Sequence, residues 1–469
     1  MRIVIVGGGS VGTFAARELQ GPLERMGHEL VLVNPENFMQ YQSLLPEAAA
    51  GNIEPRHVVV PLRQALRKTR LIVGEARSVD HERRVVHVML IDGGTIELSY
   101  EVLILAPGSR SRTLPIPGLA DRAVGFKTVA EAIFLRNHIL SRLDVAAEAT
   151  DPEQRRAALT FVFVGAGYAG VEAIAELEDL ARAATRYVPS VSRADMRWVL
   201  VEAGPAILPE IGPALAGYAA RVLARRGIEV FTDTRLESAE FGTVRLSNER
   251  SWPAHTLVWT AGVTPEPLAL ASGLPVDGRH RIVVDGCMRV QGLADVWAAG
   301  DAAAVPDPDS PGGFSPPTAQ HAVRQGKRLG KNVLAVLSGK EPSPFRYKTL
   351  GSLASLGRYR GVARVLGVRL RGFPAWFVAR SYHLWMIPTP NRKARIVVDW
   401  TFGLLFSRDM TQLGSLQAPR APFARAVGDA ALAPPPRVDP EPDGAANLAD
   451  VDVDRGEPGV ADSSGGNDP

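Results

Sequence analysis

Two glycine-rich turns of one pattern constrain the fold of this 469-residue chain more than any other feature. The apolar run Arg2–Val6 is followed by Gly-Gly-Gly-Ser-Val-Gly over residues 7–12, which fits G-x-G-x-x-G. The pattern returns over residues 165–170, again after an apolar run, Leu159–Val164. A strand, a tight turn and a helix in this order present backbone N–H groups to a pyrophosphate. The sequence therefore predicts two dinucleotide-binding units.

The three glycines of each motif have separate tasks. The first permits the tight turn, the second lets the backbone approach a phosphate, and the third lets helix and strand lie close together. They are Gly7, Gly9 and Gly12 in the first motif and Gly165, Gly167 and Gly170 in the second. The alternative is a glycine-rich turn without a ligand. The helical patterns that follow, Thr13–Leu19 and Val171–Leu180, favour the dinucleotide site.

Polar residues end the strand that follows each motif, where a ribose hydroxyl is usually bound. The strand Glu29–Val33 is followed by Asn34, which lacks the usual charge, and Glu36 is an alternative ligand nearby. The strand Trp198–Val201 is followed by Glu202, whose carboxylate would repel the 2′-phosphate of NADP. The second site is therefore predicted to prefer NADH, although Glu202 could also be only a solvated strand end.

The single cysteine, Cys287, excludes an intrachain disulfide, a CxxC zinc site and a redox dithiol. We predict that it is a buried apolar thiol on a strand, and no metal site is predicted. The chain has no apolar run of 18 residues, so no membrane-spanning helix is expected. It also begins directly with a strand pattern instead of a secretory signal, which predicts a cytoplasmic protein.

Three further segments carry a resemblance to a known superfamily. The run Asp295–Ala299 leads into Gly300 and Asp301, and the segments Leu103–Gly108 and Thr260–Val263 are similar to the two ATG-like segments of that superfamily. Together with the two motifs they resemble the two-dinucleotide-binding flavoprotein reductases. That resemblance implies a bound FAD and a visiting NADH. It implies cofactor contacts at Ala106, Gly108, Gly262, Gly300 and Asp301.

The predicted fold class is α/β, with two Rossmann-like domains and a C-terminal α+β region that associates with a membrane. The FAD domain is split by the inserted NAD domain. The predicted parts are residues 1–120 and 278–345 for the FAD domain, 121–277 for the NAD domain, 346–425 for the C-terminal region and 426–469 for an acidic disordered tail.

One family within the superfamily fits best. The segment Gln42–Gly51 is similar to a stretch of the type II, non-proton-pumping NADH dehydrogenases, and Ser43 lies where thiol-dependent relatives carry a reactive cysteine. The segment Pro317–Gly326 resembles that family's A-Q-x-x-x-Q helix start, which lies over the flavin ring. The resemblance extends to about residue 410. It implies hydride transfer from NADH to FAD and electron transfer to a quinone.

The resemblance also assigns catalytic candidates. Ala319 and Gln320 would lie at the flavin, and Gln320 would line the quinone pocket. Arg324 replaces the family's second glutamine, which leaves the acceptor open. Glu172 resembles a family glutamate near the flavin–nicotinamide junction that delivers a proton or positions a substrate; alternatively it is a first-turn acid that favours the helix dipole. Tyr168 either covers the flavin or only packs, and His321 is interpreted as structural.

Charge is distributed unevenly along the chain. Between Pro342 and Val398 there are eleven Arg or Lys and no Asp or Glu, and eight aromatic residues lie within Phe373–Phe406. Cations and interfacial aromatics of this kind are typical of a protein that lies on an anionic membrane. The alternative is an ordinary C-terminal domain with a buried helix. No groove-reading motif accompanies the charge, so nucleic acid is not expected as a partner.

The sequence leaves three functions open. The first is an NADH:quinone oxidoreductase on the inner face of the cell membrane. The second is a soluble NADH reductase of a protein or small-molecule acceptor. The third is a catalytically idle protein that retains FAD as a sensor or scaffold. A homodimer is also left open.

Overall fold

A computed structural model of the protein describes residues 1–307, 309 and 313–412. Its largest sheet has five parallel strands, extended by two antiparallel ones. In spatial order the strands are Val296–Ala298, Val102–Leu105, Arg2–Val6, Glu29–Asn34, Arg70–Asp80, Val85–Leu90 and Thr95–Ser99. The chain crosses from Arg2–Val6 toward both sides of this sheet. Such a switch point opens a crevice at the carboxyl ends of the central strands.

A second sheet repeats this arrangement with five parallel strands. In spatial order they are Ala123–Gly125, Thr256–Trp259, Thr160–Val164, Arg197–Val201 and Ile228–Phe231. The central strand is buried throughout, because both of its faces are covered: Phe161 and Phe163 belong to the main core, and Val162 and Val164 pack in a second core with Val244 of the strand Thr243–Leu246. This accounts for its largely apolar sequence. The chain leaves the first sheet after Val102–Leu105 and returns to it with Val296–Ala298.

Small sheets complete the strand structure. The ribbon formed by Ser109–Ser111 and Val263–Pro265 joins the segments that follow the two large sheets. The others are Phe38–Gln40 with Val59–Pro61, Ile282–Val283 with Ala303–Ala304, the three strands Leu236–Ser238, Thr243–Leu246 and Ser251–Pro253, and the three C-terminal strands Gly351–Ser355, Gly361–Val365 and Val368–Arg371.

Twelve α-helices occur within the described residues. They are Ser10–Arg25, Leu45–Ala49, Leu62–Ala65, Leu119–Arg122, Val129–Glu148, Pro152–Ala158, Tyr168–Ala184, Pro213–Arg225, Leu268–Ala271, Ala319–Leu337, Phe373–Met386 and Pro390–Leu405. Among these, none has the length and apolar character that crossing a bilayer requires.

Two glycines bring the helices Ser10–Arg25 and Ala319–Leu337 into close contact. A Cβ at Gly326 would lie 2.4 Å from the Val11 carbonyl oxygen, and one at Gly330 would lie 2.8 Å from Glu18 Cβ. Larger side chains would separate the helices. Their approach therefore holds the start of the later helix above the crevice of the first sheet.

The C-terminal helices are attached to the rest of the chain through polar side chains. Asp399 accepts from the imidazole of His57 at 2.5 Å and from the backbone N–H of Glu54 at 3.1 Å. Arg380 and Trp400 both donate to Glu47, at 2.7 and 2.8 Å. Asp399, which interrupts the apolar run Ile396–Phe406, therefore fixes the last helix to the rest of the chain.

The predicted α/β class with two parallel sheets is confirmed, and both motif helices are longer than the sequence pattern predicted. The prediction for Cys287 was wrong in part: it lies in a turn, and its side chain is only half-buried. The predicted domain boundaries stay a prediction. The acidic tail at 426–469 lies outside the described residues.

Candidate functional site

Both glycine turns lie at the carboxyl end of the central strand of a parallel sheet. Gly7 has a φ of +102° and Gly165 one of +103°, a conformation that other residues rarely adopt. A Cβ at Gly12 would lie 1.8 Å from the Gly7 carbonyl oxygen, and one at Gly170 would lie 1.9 Å from the Gly165 carbonyl oxygen. These close approaches explain why each turn requires its first and third glycine.

The second glycine of each turn is different, because a Cβ at Gly9 or Gly167 would meet no atom within 4 Å. Each precedes the first residue of a long helix, whose N-terminal N–H groups attract anions. Open space beside unpaired N–H groups is what a pyrophosphate needs. Both turns therefore fit a dinucleotide.

The strand-end residues Asn34 and Glu202 occupy equivalent places. Asn34 Oδ1 accepts from the N–H of Gly8 at 2.7 Å, and Glu202 Oε2 accepts from the N–H of Ala166 at 2.7 Å. Each side chain thus supports its own turn. Asn34 also donates to the Glu36 carbonyl oxygen at 2.7 Å, while the Glu36 side chain is exposed. Ribose binding by Asn34, Glu36 and Glu202 stays a prediction.

The segments Leu103–Gly108 and Thr260–Val263 lie beside the first and the second glycine turn. The Ala106 carbonyl oxygen would lie 2.1 Å from a Cβ at Gly7, so Ala106 forms one wall of the first crevice. Gly108, Gly262 and Gly300 all have positive φ values, of +85°, +91° and +78°. The N–H of Gly300 donates to Gln325 Oε1 at 2.8 Å. The residue after Arg324 therefore supports the Gly300 turn and does not replace the missing family glutamine.

Asp301 is part of a hydrogen-bonded chain that the sequence did not reveal. Ser109 donates to Asp301 Oδ2 at 2.5 Å, and Lys127 Nζ donates to Ser109 Oγ at 2.8 Å. Burial lowers the pKa of the Lys127 ammonium, and the nearby Asp301 opposes this shift. Ser109 directly follows Gly108, so its place in the sequence was a usable signal. Lys127 had none, because only the fold brings it there.

One cavity of about 660 Å³ is shared by several parts of the fold. Its wall includes Tyr168 and Glu172 from the second motif helix, and Ala319 and Gln320 from the start of the late helix. Further lining residues come from the segment after the second strand and from the C-terminal region: Tyr41, Gln42, Ser43, Tyr347, Ser352, Leu353, Tyr382, His383 and Met386. The predicted candidates Glu172, Ala319 and Gln320 are thus brought together.

Glu172 is a carboxyl group on the wall of this cavity with an unusual affinity for its proton. Burial raises its pKa to about 8; the backbone N–H of Ser355, which donates to Oε1 at 2.8 Å, opposes the shift, and the carboxylates of Glu176 and Glu47 add to it. The group therefore carries a proton at neutral pH. The alternative of a simple first-turn acid does not account for this burial.

Gln320 and Arg324 have separate surroundings. Gln320 donates to the Gly351 carbonyl oxygen at 3.1 Å and accepts from the Tyr347 hydroxyl at 2.9 Å. Arg324 is not among the residues that line the cavity. Its guanidinium lies 4.1 Å from the Tyr347 ring centre and donates to the Gln320 carbonyl oxygen at 3.0 Å. Arg324 thus contacts Tyr347, which lines the cavity, and its role toward an acceptor stays a prediction.

At the C-terminal side of the cavity, Tyr41 and His383 form a second polar pair. The Tyr41 hydroxyl lies 3.1 Å from His383 Nδ1, and burial lowers the pKa of His383 to about 4. His383 is therefore a neutral imidazole at physiological pH. Sequence reasoning missed this pair because its members are distant in the chain. His321 is buried, pairs with Thr318 at 2.8 Å and also lines the cavity, and its structural role stays a prediction.

Fold and site together define a class: a reductase with two dinucleotide sites and one shared cavity. The family model for pyridine nucleotide-disulphide oxidoreductases matches residues 1–326. The chain is 30% identical to the type II NADH:quinone oxidoreductase Ndh of Mycobacterium tuberculosis, over 87% of this chain and 89% of that protein. It is 29% identical to the demethylphylloquinone reductase NdbB of a Synechocystis strain, over 85% and 95%.

Solved structures agree on the fold. NDH2 from Plasmodium falciparum in complex with NADH superposes with a TM-score of 0.82 at 18% identity, covering 87% of this chain and 99% of that one. The sulfide:quinone oxidoreductase of Aquifex aeolicus has a TM-score of 0.65 at 15% identity, covering 86% and 94%. The chain belongs to the type II NADH:quinone oxidoreductases of the pyridine nucleotide-disulphide oxidoreductase family.

Two substitutions in the first turn should distinguish a glycine that the fold requires from a glycine that FAD binding requires. Gly12→Ala forces a Cβ against the Gly7 carbonyl oxygen and should destabilise the apoprotein by about 1–3 kcal/mol. Gly9 has a φ of −72° and open space beside it, so Gly9→Val should fold normally but lower FAD affinity at least about tenfold. Apoprotein melting and the flavin-to-protein absorbance ratio measure the two effects. Full flavin content in Gly9→Val would contradict the assignment of Gly9.

Proposed function

We propose that the protein oxidises NADH with a bound FAD and passes the electrons to a membrane quinone without pumping protons. The shared cavity carries this proposal, because it joins the second motif helix, the start of the late helix and the C-terminal region. Family membership supports the same chemistry. The first glycine turn would hold the FAD and the second the NADH. When bound, FAD accepts hydride from NADH and releases electrons to the acceptor.

The chain's own residues bind, orient and supply a proton. The two turns hold pyrophosphates through backbone N–H groups, and Asp301, fixed by Ser109, would bind the flavin's ribityl and phosphate groups. NADH, one proton and a quinone give NAD⁺ and a quinol, so each turnover takes one proton from solution. Glu172 carries a proton on the cavity wall at neutral pH and is our candidate donor. Gln320, which accepts a hydrogen bond from Tyr347, would contact a quinone oxygen.

An acceptor panel tests the quinone assignment. At saturating NADH we expect rapid reoxidation by a short-chain quinone and slow reoxidation by protein or ferricyanide-like acceptors. Arg324→Gln restores the family residue but changes a side chain that is not among those lining the cavity. It should therefore alter the KM for quinone by less than about threefold. The soluble-reductase alternative predicts the reverse order of acceptors. A protein that NADH does not bleach would support the idle-scaffold alternative.

The membrane surface is the second part of the proposal. Helices Phe373–Met386 and Pro390–Leu405 expose Phe377, Trp385, Phe402 and Leu405, with exposed fractions of 58%, 68%, 57% and 74%. Several large exposed apolar side chains on two consecutive helices favour an interaction surface. Three aromatic or basic residues of the segment are internal instead: Trp376 is buried, Arg380 stacks on it, and Trp400 binds Glu47.

Vesicle binding tests this surface. The double substitution of Phe402 and Leu405 by Asp should lower partitioning onto anionic phosphatidylglycerol vesicles at least about tenfold, because two apolar contacts are lost and two like charges are added. Ile91→Asp is the matched control, since Ile91 is 81% exposed in a separate hairpin. NADH oxidation with a water-soluble quinone should be unchanged. Equal partitioning of all three proteins would contradict the assignment.

Other parts of the proposal rest on the resemblance and the placement of residues. They are the domain boundaries, the individual cofactor contacts, a peripheral location on the cytoplasmic face of the cell membrane, and a homodimer. Support for the domain boundaries comes from the two sheets and the ribbon between them.

A further inference from the structure

A row of polar side chains crosses the C-terminal sheet. In its middle strand, Arg364 lies directly opposite Ser352 on one side and Arg369 on the other. Directly opposed residues of antiparallel strands project from the same face. The two arginines are therefore like charges side by side, which is unfavourable unless an anion lies near them.

That face of the sheet is directed toward the unit that carries the second glycine turn. Arg371 shares the face with Arg369, and its guanidinium lies 5.3 Å from the ring centre of Tyr218, in helix Pro213–Arg225. The opposite face is covered by the aromatic helix, since a Cβ at Gly361 would lie 2.9 Å from the Trp376 backbone nitrogen. The arginine row is thus on the nucleotide side and not on the side of the exposed aromatic helix.

Arg364 reaches the shared cavity at the end nearest the second turn. It lines the wall together with Tyr168, Ser352 and Glu210. Tyr168 is the first residue of the helix that follows Gly167, and its hydroxyl is buried next to the Ser352 side chain. Among the described residues no ion pair with Arg364 is formed, and Glu210, which lies on the same wall, has an exposed side chain.

We propose that Arg364 binds a phosphate of the NADH pyrophosphate, so that the C-terminal sheet completes the nucleotide site begun by the second glycine turn. A dinucleotide held at Gly167 must pass Tyr168 to place its nicotinamide beside Glu172. This path runs along Arg364. The guanidinium is a planar fork suited to a phosphate, and a bound phosphate would offset the repulsion from Arg369. The inference rests on NADH binding at the second turn.

Arg364→Met tests the proposal, with Arg369→Met as the matched control. Both variants remove one charge from the same face of the same sheet, but only Arg364 lines the cavity. Calorimetric titration of the FAD-loaded protein with NAD⁺ measures binding without turnover. We expect Arg364→Met to raise the NAD⁺ dissociation constant and the KM for NADH at least about tenfold, the size expected for a charge-assisted hydrogen bond. Arg369→Met should change both by less than about twofold.

Reduced nicotinamide riboside, which has no phosphate, is the substrate control. Its KM should be the same in wild type and Arg364→Met, and Arg364→Lys should regain part of the NAD⁺ affinity. An unchanged NAD⁺ dissociation constant in Arg364→Met would overturn the proposal, as would equal losses in both variants. Loss of binding to phosphatidylglycerol vesicles with normal NAD⁺ affinity would assign Arg364 to lipid instead. Failure of the wild type to reduce quinone would count against the proposed function, and the NAD⁺ titrations would still stand.

Discussion

Replacing Glu172 by glutamine is expected to slow quinone reduction about a hundredfold, the lower end of what general acid catalysis contributes. The carboxyl group lies on the cavity wall, and burial raises its pKa to about 8. It is therefore a proton donor below pH 8 and loses this role as the pH rises. The wild-type kcat should fall above pH 8, and the glutamine variant should lack that limb. The measurement is kcat against pH with a water-soluble quinone and saturating NADH.

Glu210→Gln is the matched control for Glu172→Gln, because Glu210 lies on the same cavity wall but its side chain is exposed. It should retain the fall in kcat above pH 8. Bleaching of the flavin by NADH, followed without quinone, should proceed normally in both variants. A glutamine variant at position 172 that keeps wild-type kcat and its pH limb would show that Glu172 only packs in the wall.

Stability gives an independent check on Glu172. Its pKa in the folded protein is raised above the ordinary value, so folding is favoured while the group is protonated and that contribution is lost as the pH rises through about 8. Glutamine is neutral at every pH. Above pH 8 the variant should therefore melt at a higher temperature than the wild type. Slow turnover in a variant that melts in this way cannot be ascribed to misfolding.

Replacing Arg226 by methionine is expected to lower the free energy of unfolding by about 3–5 kcal/mol, since two buried carboxylates lose their buried partner and keep only the more exposed Arg182 and Arg193. The Arg226 side chain is 6% exposed and forms ion pairs with Glu178 and Asp179, which are 1% and 2% exposed. It also donates to the carbonyl oxygens of Ala175 and Leu356. The network joins the second motif helix to the C-terminal sheet. Urea denaturation of the FAD-saturated protein measures the loss.

Arg221→Met, an exposed position in the helix that precedes Arg226, should change stability by less than about 0.5 kcal/mol. Combining Arg226→Met with Glu178→Gln removes one stranded charge and should recover part of the loss. If the double variant is no more stable than the single one, the cost does not come from an unpaired carboxylate.

The local motifs were sufficient to predict the two dinucleotide units. A strand, a tight turn and a helix are specified by neighbouring residues, and Gly12 and Gly170 are required by backbone atoms only five residues away. The strand-end residues Asn34 and Glu202 lie at these turns, and their predicted ribose contacts stay predictions. The sequence could not show that each side chain already supports the turn itself.

Residues whose role depends on distant partners were predicted less well. Arg324 was assigned to the acceptor from its place in a motif, and this role stays a prediction; the sequence did not reveal that its guanidinium stacks on the Tyr347 ring. Trp376 was grouped with membrane-facing aromatics and is buried. Motif spacing gives the position along a helix, whereas the neighbours of each helix face depend on segments elsewhere in the chain.

The sequence by itself determined the number of dinucleotide sites and their order, because these depend on residue identity and on contacts within one turn. Only the tertiary structure decided which groups share the cavity. It buries Glu172 and so lets it carry a proton, it supports Asp301 with Ser109 and Lys127, and it turns Arg364 toward the second glycine turn. Burial and charge proximity depend on segments that are far apart in the chain, so a local sequence pattern cannot predict them.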